Sequence, residues 1–337
     1  MEKNKPLLTG KDLALGYRKG KNIDWIAENL NFSLPAGRMT CLLGPNGVGK
    51  STLIKSILGK DLPIRGKISY NGQDIRQLPP KTLAKKISVV LTDRISSGNL
   101  TVKQLVTLGR IPFTNWLGKL SEEDETAVEN AIQVTHTSYL QGKKIAEISD
   151  GQLQKVMIAR ALAQDGELMI LDEPTAHLDL VNRFEIMFLL REIAHKQNKA
   201  ILVVTHDLEI AIETADDFWL MSCGGPLITG QPEDLILSGN INSLLPEHLL
   251  YFSPLTGKIQ QKDSLHAYPQ IKGPEEVVKW LQLALRKNGV VLGEQISITA
   301  YQNPLGFLVE KEGEKFQASS IKEVMEGLGG NRWVGGR

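Results

Sequence analysis

The chain has 337 residues, of which 23% are charged, and its formal net charge is +1. A chain of this length can bury a large core in more than one domain, and so small a net charge gives no field that would attract nucleic acid. No apolar run reaches the roughly 18 residues that cross a bilayer, so we expect no transmembrane segment. The two cysteines, Cys41 and Cys223, predict no disulfide framework.

The first part of the chain predicts strands that lead into a glycine-rich loop. Residues 39–43 form an apolar run typical of a buried strand, and residues 52–59 predict a helix that ends at a glycine. The loop between them matches the pattern G-x-x-x-x-G-K-[ST], with backbone N–H groups and a helix dipole facing an anion. Its residues are Gly44, Pro45, Asn46, Gly47, Val48, Gly49, Lys50, Ser51 and Thr52. The pattern predicts a phosphate-binding loop, in which Lys50 reaches the outer phosphates and the Ser51 hydroxyl holds Mg²⁺.

One aromatic residue precedes this loop. Tyr17 ends an apolar run at residues 13–17, where its ring can stack on a purine base. From this run alone, an ordinary half-buried strand aromatic is the favoured interpretation.

Helix signals dominate the middle of the chain. Thr101 opens a helical stretch as a capping residue, and Ser121 with Asp124 predicts a capping box at the start of another helix. A helix over residues 153–163 follows Ser149 and Gly151. A serine and a glycine at a helix start predict either an anion site or a simple N-cap.

Two apolar runs then end in polar residues. The run 168–172 ends in Asp172, placed to bind Mg²⁺ or its waters, and Glu173 follows, placed to orient and activate a water. The run 200–204 is followed by His206, at the end of a parallel strand where ligands bind in such sheets. The alternatives are two acids in a solvated loop and a histidine with a structural role.

The order of these motifs resembles the ATP-binding subunits of ABC transporters over roughly the first 260 residues. Tyr17 falls where that family has an adenine-stacking aromatic, and His206 falls at its switch histidine. The remaining matches are the Walker A loop at 44–52, Walker B at 168–172 with the catalytic glutamate at Glu173, the signature motif at 148–152 and the D-loop at 176–179.

The resemblance implies an α/β P-loop NTPase of the ABC type, with an antiparallel β subdomain and a helical subdomain at about 93–165, within a nucleotide-binding domain at 1–263. It implies a head-to-tail homodimer that hydrolyses ATP with Mg²⁺. The implied catalytic residues are Glu173, His206 and Lys50, and the implied metal ligands are Ser51 and Asp172. Ser149 and Gly151 are implied to cover the nucleotide of the other copy, and Gln152 and Asp179 are further implied nucleotide-binding residues.

Within the family, residues 100–112 resemble the importers of iron–siderophores, haem or cobalamin. That group implies membrane permease partners at the cytoplasmic face of the inner membrane, an indirect periplasmic or lipoprotein substrate-binding protein, and no nucleic acid. A soluble ABC ATPase of cofactor (cluster) assembly is the alternative function. A nucleotide-binding regulator without turnover is disfavoured because Glu173 and His206 are both present.

Two residues depart from the family pattern. Thr92 stands where the family has a glutamine that reaches Mg²⁺, so a water or Asp93 must replace it. Asp150 stands where the signature has a glycine, and we expect its carboxylate to point away from the phosphates.

The tail, residues 264–337, predicts a small α/β appendage that supports packing or dimerisation, with a ligand-sensing role as the alternative. A strand at 255–259 is expected to complete the ATPase fold. The tail prediction is a helix with Pro274 at its first position, strands at 295–299 and 307–310, a turn at 311–315, a last helix capped by Ser319 or Ser320, and a flexible end at 329–337. The apolar face of the first tail helix, Val277, Leu281 and Leu285, must be buried within the tail, on its own ATPase domain or on the tail of a second copy, and we favour the second copy.

Overall fold

The computed structural model describes residues 6–20, 22–91, 99–114, 119–246, 248–262, 271–293, 295–311 and 313–328. Its contacts divide the chain into two compact units, residues 1–247 with 252–258, and residues 248–251 with 259–337. The predicted domain boundary at residue 263 stays a prediction. Thr92, Asp93 and the segment 329–337 lie outside the described residues, so the predictions made for them stay predictions.

The first unit combines two sheets with helices. Its strands are β1 Leu8–Lys19, β2 Asn22–Leu34, β3 Met39–Leu43, β4 Arg65–Tyr70, β5 Gln73–Asp74, β6 Ile87–Val90, β7 Leu168–Asp172, β8 Ala200–Val204, β9 Asp217–Leu220 and β10 Ile228–Gly230. Its helices are α1 Lys50–Ile57, α2 Pro80–Lys86, α3 Val102–Thr107, α4 Glu122–Val134, α5 Asp150–Ala163, α6 Leu180–Gln197, α7 Leu208–Thr214 and α8 Pro232–Leu237.

The central sheet has six strands in the order β10-β9-β3-β8-β7-β6. All neighbours are parallel except β9 and β10, which are antiparallel. The inner strands are continuous apolar runs because both faces of the sheet are covered. Alternate residues therefore enter two separate cores: Cys41 and Val203 face the helices α5, α6 and α7, whereas Leu42 and Val204 face α1 and the second sheet.

The second sheet is antiparallel and has the order β2-β1-β4-β5. Together with α1 it covers one face of the central sheet, where the rings of Phe32 and Trp219 lie with their centroids 4.4 Å apart. An antiparallel sheet beside a parallel one is the arrangement that the sequence predicted for this part of the chain.

Capping boxes set the starts of the three helices α3, α4 and α5. The side chains of Thr101, Ser121 and Ser149 each accept a hydrogen bond from the backbone three residues on, and that third residue reaches back to the cap. The prediction for Ser121 is confirmed. Helix α5 begins at Asp150, three residues before the predicted Leu153, because Ser149 is its cap.

A buried ion pair joins the helices of this region. Arg110 Nε donates to Asp124 Oδ1 at 2.7 Å, and Arg110 Nη1 donates to the Ala163 carbonyl at 2.8 Å. The guanidinium also lies 3.9 Å from the centre of the Phe113 ring. The pKa of Asp124 lies below its usual value because the Ser121 backbone N–H and then Arg110 donate to its carboxylate. The arginine therefore ties the start of α4 to the end of α5.

The tail forms a second sheet-and-helix unit after a two-stranded hairpin, β11 Leu250–Ser253 and β12 Lys258–Gln261. Its elements are β13 Ile271–Lys272, α9 Glu275–Lys287, β14 Ile296–Gln302, β15 Leu305–Lys311, β16 Glu314–Ala318 and α10 Ile321–Gly327. The sheet order is β13-β14-β15-β16, parallel between β13 and β14 and antiparallel elsewhere. Among the described residues of the chain, no helix is both long and apolar enough to cross a bilayer.

The apolar face of α9 is buried inside the tail itself. Val277, Leu281 and Leu285 form one core with sheet residues such as Ile298 and Phe307, and Leu281 and Leu285 are fully buried. The expected burial of this face on a second copy is therefore wrong. The sheet of the same unit already covers it.

Three further tail predictions need correction. Pro274 is the N-cap of α9 rather than its first residue, because the helical backbone begins at Glu275. The predicted strand at 255–259 is largely the turn of the β11–β12 hairpin. The polar stretch Glu314–Ala318, predicted in part as a turn, is the edge strand β16. Ser320, one of the two predicted caps, accepts from Glu323 N at the start of α10.

Candidate functional site

The strand pairing brings three sequence motifs to one edge of the central sheet. Leu42 of β3 and Asp172 of β7 both pair with Val204 of β8, so the three residues lie in one row across the sheet. These strands are parallel, and their carboxyl ends therefore point the same way. The phosphate loop begins at Gly44, two residues after Leu42. Glu173 directly follows Asp172, and His206 is two residues after Val204.

The phosphate loop is shaped by glycines that other residues could not replace without strain. Gly49 has φ +110° and forms the left-handed N-cap of α1. A Cβ atom on Gly44 would lie 2.4 Å from the Met221 carbonyl oxygen. The loop residues Pro45, Asn46 and Gly47 are exposed, and Val48 is buried beneath them. The loop therefore turns into the N-terminus of a helix with its backbone open to an anion.

Lys50, the first residue of α1, lies folded over this loop. Its ammonium donates to the carbonyl oxygens of Gly44 at 2.6 Å and Pro45 at 3.0 Å. Burial lowers the pKa of Lys50, and the nearby carboxylates of Glu173 and Asp172 act in the opposite direction. The cation is thus held between the loop and the acidic pair.

The acidic pair ends β7 in a strained turn. Glu173 has φ +50°, uncommon for a residue with a side chain, and its backbone N–H donates to the Val204 carbonyl at 2.9 Å. Its Oε2 lies 2.9 Å from Nδ1 of His206. The pKa of Asp172 is raised by burial and by Glu173, against the opposing effect of Lys50. The turn thus places the Glu173 carboxylate on the histidine, while the burial that lowers the pKa of Lys50 is opposed by both carboxylates.

The signature residues lie at the start of α5. Ser149 Oγ accepts from the backbone N–H of Gln152 at 3.3 Å, and the Gln152 amide oxygen accepts from the Ser149 N–H at 3.1 Å. Gly151 is buried, whereas Asp150 is exposed. Gln152 Nε2 also donates to the Tyr139 hydroxyl at 3.3 Å, and Gly151 lies against Asn182 of α6.

Two further predicted residues border other elements. Tyr17 is 44% exposed, and its hydroxyl lies 3.5 Å from Thr52 Oγ1, which places the ring beside the start of α1. Asp179 is the N-cap of α6 and accepts from the backbone N–H of Asn182 at 2.9 Å.

A groove of about 800 Å³ was not anticipated from the sequence. Its floor is apolar, with residues such as Leu58, Leu83 and Met157, and Arg160 of α5 lies within it. Burial lowers the pKa of Arg160, and no carboxylate contributes to that shift. The signal available in the sequence was a single arginine inside the otherwise apolar stretch 156–163.

Fold and site together define a P-loop protein that binds and hydrolyses a nucleotide. The loop is the phosphate site, and the carboxylates at the end of β7 supply the hydrolytic side of the reaction. The described residues contain no cluster of three or more metal-binding side chains.

Comparisons with known proteins identify the family. The ABC transporter family model matches residues 27–176. An uncharacterised ABC transporter ATP-binding protein of Methanocaldococcus jannaschii is 38% identical over 258 residues, 77% of this chain and 88% of that protein. An achromobactin transport ATP-binding protein of Dickeya dadantii is 38% identical over 229 residues, 68% of this chain and 84% of that protein.

Solved structures agree with this assignment. One described as an inward-facing, metal-chelate type ABC transporter has a TM-score of 0.62 at 28% identity, covering 73% of this chain and 91% of that chain. A dimeric bacterial ABC transporter cassette has a TM-score of 0.56 at 26% identity, covering 67% and 98%. The chain belongs to the ATP-binding proteins of ABC transporters, and it is an ATPase. The predicted fold class and the resemblance to the metal-chelate importer group are confirmed.

Proposed function

We propose that the chain is the ATP-hydrolysing subunit of an importer for a metal chelate, such as an iron–siderophore, haem or cobalamin complex. The row Leu42–Val204–Asp172 carries this proposal, because it aligns the ends of the three strands from which the phosphate loop, the acidic pair and the histidine emerge. Two findings support the cargo: one relative is an achromobactin transport ATP-binding protein, and one similar solved structure is described as a metal-chelate type ABC transporter.

The nucleotide site is the phosphate loop from Gly44 to Thr52. ATP binding exchanges the two loop carbonyls now held by Lys50 for oxygens of the outer phosphates. Tyr17, exposed beside Thr52, stacks on the adenine ring.

The donor chemistry of the site fits Mg²⁺. Ser51 offers an exposed hydroxyl in the first turn of α1, and Asp172 offers a half-buried carboxylate at the end of β7. These are hard oxygen ligands, and the phosphates complete the set. When bound, the ion neutralises charge that develops on the phosphate oxygens.

Glu173 is the group that activates the attacking water. Its carboxylate is fixed by the strained turn and by His206, so it cannot rotate freely away from the site. The side chain of His206 is 71% exposed, so the part of its ring that faces away from Glu173 can contact the γ-phosphate. Lys50 stabilises the charge that develops on the same phosphate.

A complete site requires a second copy of the chain. Ser149, Gly151, Gln152 and Asp179 lie at helix starts away from the phosphate loop, and in a head-to-tail dimer they close over the nucleotide of the other copy. The Ser149 hydroxyl accepts within its helix and keeps its own proton for a phosphate oxygen. The dimeric cassette among the structural neighbours supports this arrangement.

The groove beside α2 and α5 is the docking site for a membrane permease subunit at the cytoplasmic face of the membrane. Its described lining combines apolar side chains with three cations, Lys60, Arg76 and Arg160, and contains no carboxylate. Arg76 is already paired with Asp74, which leaves Lys60 and Arg160 for the partner. The chemistry fits a short amphipathic helix that carries an acidic residue. The substrate-binding protein acts on the permease rather than on this chain.

The test is transport in proteoliposomes that contain this chain, a membrane permease that co-purifies with it, and the matching substrate-binding protein. We expect uptake of radioactive iron–siderophore that requires ATP and is lost in Lys50→Ala. Arg160→Glu should keep ATP binding by the isolated subunit and weaken assembly with the permease. Glu185→Ala, on the exposed side of α6, should keep both. ATP hydrolysis that no metal chelate stimulates would count against the cargo.

A further inference from the structure

A tyrosine that belongs to none of the sequence motifs contacts the start of α5. Tyr139 lies 13 residues before Gln152, in a short 3₁₀ turn at Ser138–Leu140. Its hydroxyl accepts from Gln152 Nε2 at 3.3 Å, and the residue is 66% exposed. The contact therefore joins a surface side chain to the signature residues, which act on the nucleotide of the other copy in the proposed dimer.

The turn that carries Tyr139 is held firmly from below. Leu140 is fully buried, and its backbone N–H donates to the Thr137 carbonyl at 2.9 Å. Thr137 is buried as well, and its own N–H donates to the Ile132 carbonyl at 3.0 Å. The hydroxyl oxygens of Thr137 and Thr135 lie 3.0 Å apart. These contacts fix the backbone of Tyr139 beside the end of α4, so its hydroxyl has a defined position.

The carboxamide of Gln152 can face the Ser149 backbone in two ways. In the structure its Oε1 accepts from the Ser149 N–H at 3.1 Å, and the Gln152 backbone N–H donates to Ser149 Oγ at 3.3 Å. If the amide were turned over, its NH₂ group would stand against the Ser149 N–H, and two donors cannot bond to each other. The Tyr139 hydroxyl accepts from Nε2 and therefore favours the orientation that closes the capping box.

We infer that Tyr139 is a positioning residue for the signature serine and that it acts through Gln152. The inference rests on the proposed function, in which Ser149 contacts the nucleotide of the other copy. With the amide held by Tyr139, the Ser149 hydroxyl is already in place before the two copies close. Without the tyrosine hydroxyl the amide turns more freely, and the cap has to be ordered at the expense of dimer formation.

The chain supplies a matched control for this contact. The hydroxyl of Tyr251 in β11 donates to Gln260 Oε1 in β12 at 2.6 Å. This is also a tyrosine–glutamine hydrogen bond, but it lies outside every motif of the nucleotide site. Tyr139→Phe and Tyr251→Phe each remove one hydroxyl and keep the ring, so the comparison isolates the position of the tyrosine.

The first experiment measures hydrogen exchange of the Ser149 backbone N–H by NMR in the full-length, nucleotide-free protein. Tyr139→Phe should speed this exchange by about 2- to 10-fold, the factor that one hydrogen bond between neutral groups supplies. Tyr251→Phe should leave it unchanged, and the melting temperature of Tyr139→Phe should match the wild type because the lost hydroxyl is at the surface. Unchanged exchange at Ser149 in Tyr139→Phe would overturn the inference.

The second experiment measures ATP-driven dimerisation in the analytical ultracentrifuge, with Glu173→Gln present in every protein. Adding Tyr139→Phe should raise the dimer dissociation constant by about 2- to 10-fold. ATP affinity of the dilute monomer should not change, because the phosphate loop is untouched. Adding Tyr251→Phe should change neither quantity. A wild-type dimer constant with Tyr139→Phe would overturn the inference.

A double-mutant cycle tests whether Tyr139 acts through Gln152. Gln152→Ala should weaken the dimer at least as much as Tyr139→Phe, and Tyr139→Phe should have no further effect in that background. An equal further loss would mean that Tyr139 contacts the nucleotide itself, and the inference would be wrong. These outcomes refute the inference alone. A Glu173→Gln protein that forms no dimer with Mg-ATP would refute the proposed function and this inference together.

Discussion

Replacing Glu173 by glutamine separates ATP binding from ATP hydrolysis. Glutamine keeps the length of the side chain and can still bond to His206 Nδ1, which lies 2.9 Å from Glu173 Oε2. It removes the charge that polarises the attacking water. General-base groups contribute roughly 10²–10⁴-fold in rate, so kcat should fall by that factor, equivalent to about 3–5 kcal/mol in the barrier.

The same substitution should strengthen nucleotide binding. Glu173 raises the pKa of Asp172, and Lys50 lies within the field of both carboxylates. Without the like charge, the ionised form of Asp172 is favoured and its pKa falls. The acid limb of Mg²⁺-dependent ATP binding should therefore move to lower pH in the variant. Less negative charge also faces the incoming phosphates, so ATP should hold the two copies closed.

Three measurements test this prediction. Phosphate release gives the rate, a fluorescent ATP analogue gives the affinity across pH, and size-exclusion chromatography with and without Mg-ATP gives the dimer. Glu209→Gln is the control, because Glu209 is an exposed acid on α7 near the site. Hydrolysis at the wild-type rate, together with an unchanged monomer in Mg-ATP, would refute both the role of Glu173 and the closed dimer.

Three other perturbations test separate parts of the reasoning. Lys50→Ala should abolish ATP binding or hydrolysis, because the variant lacks the cation that reaches the outer phosphates; normal phosphate release would contradict this. Arg110→Ala should lower the free energy of unfolding in urea by about 2–3 kcal/mol, since Asp124 stays buried with only its Ser121 donors. Because the pKa of Asp124 is lowered in the folded state, this difference should hold above the unfolded pKa of about 4 and shrink as the pH falls from there through the lower pKa of the folded state. A chain ending at Lys262 should keep ATP affinity and, with Glu173→Gln, ATP-driven dimerisation in the analytical ultracentrifuge; weaker dimers would mean that the tail contacts the second copy by another surface.

Local signals in the sequence were sufficient for the elements around the nucleotide site. The apolar runs before Gly44 and up to Asp172 are strands buried on both faces, and such strands are visible in the sequence as nearly continuous apolar runs without alternation. Capping residues such as Ser121 are equally local, since the cap and its partner are three residues apart. These elements hold the candidate site, so the sequence alone was enough to place its residues at strand ends and helix starts.

Features that depend on contacts between distant residues could not be predicted from the sequence. The apolar face of α9 was visible as Val277, Leu281 and Leu285, but helical spacing cannot say which surface covers it. The edge strand β16 was missed because an edge strand with one solvated face needs few apolar residues. Asn182 looks like any polar residue after a capping aspartate, and only its position against Gly151 distinguishes it, since a Cβ atom added to Gly151 would lie 2.7 Å from Asn182 Oδ1.

The contacts of Lys50 also bear on hydration. An exposed ammonium carries tightly held water, which a phosphate would have to displace on binding. Lys50 is only 8% exposed and has already exchanged much of that water for the carbonyl oxygens of Gly44 and Pro45. The arriving phosphate replaces neutral oxygens with charged ones, which form the stronger hydrogen bonds. Nucleotide entry at this lysine is therefore an exchange of oxygen ligands, and the dehydration that remains is that of the phosphate.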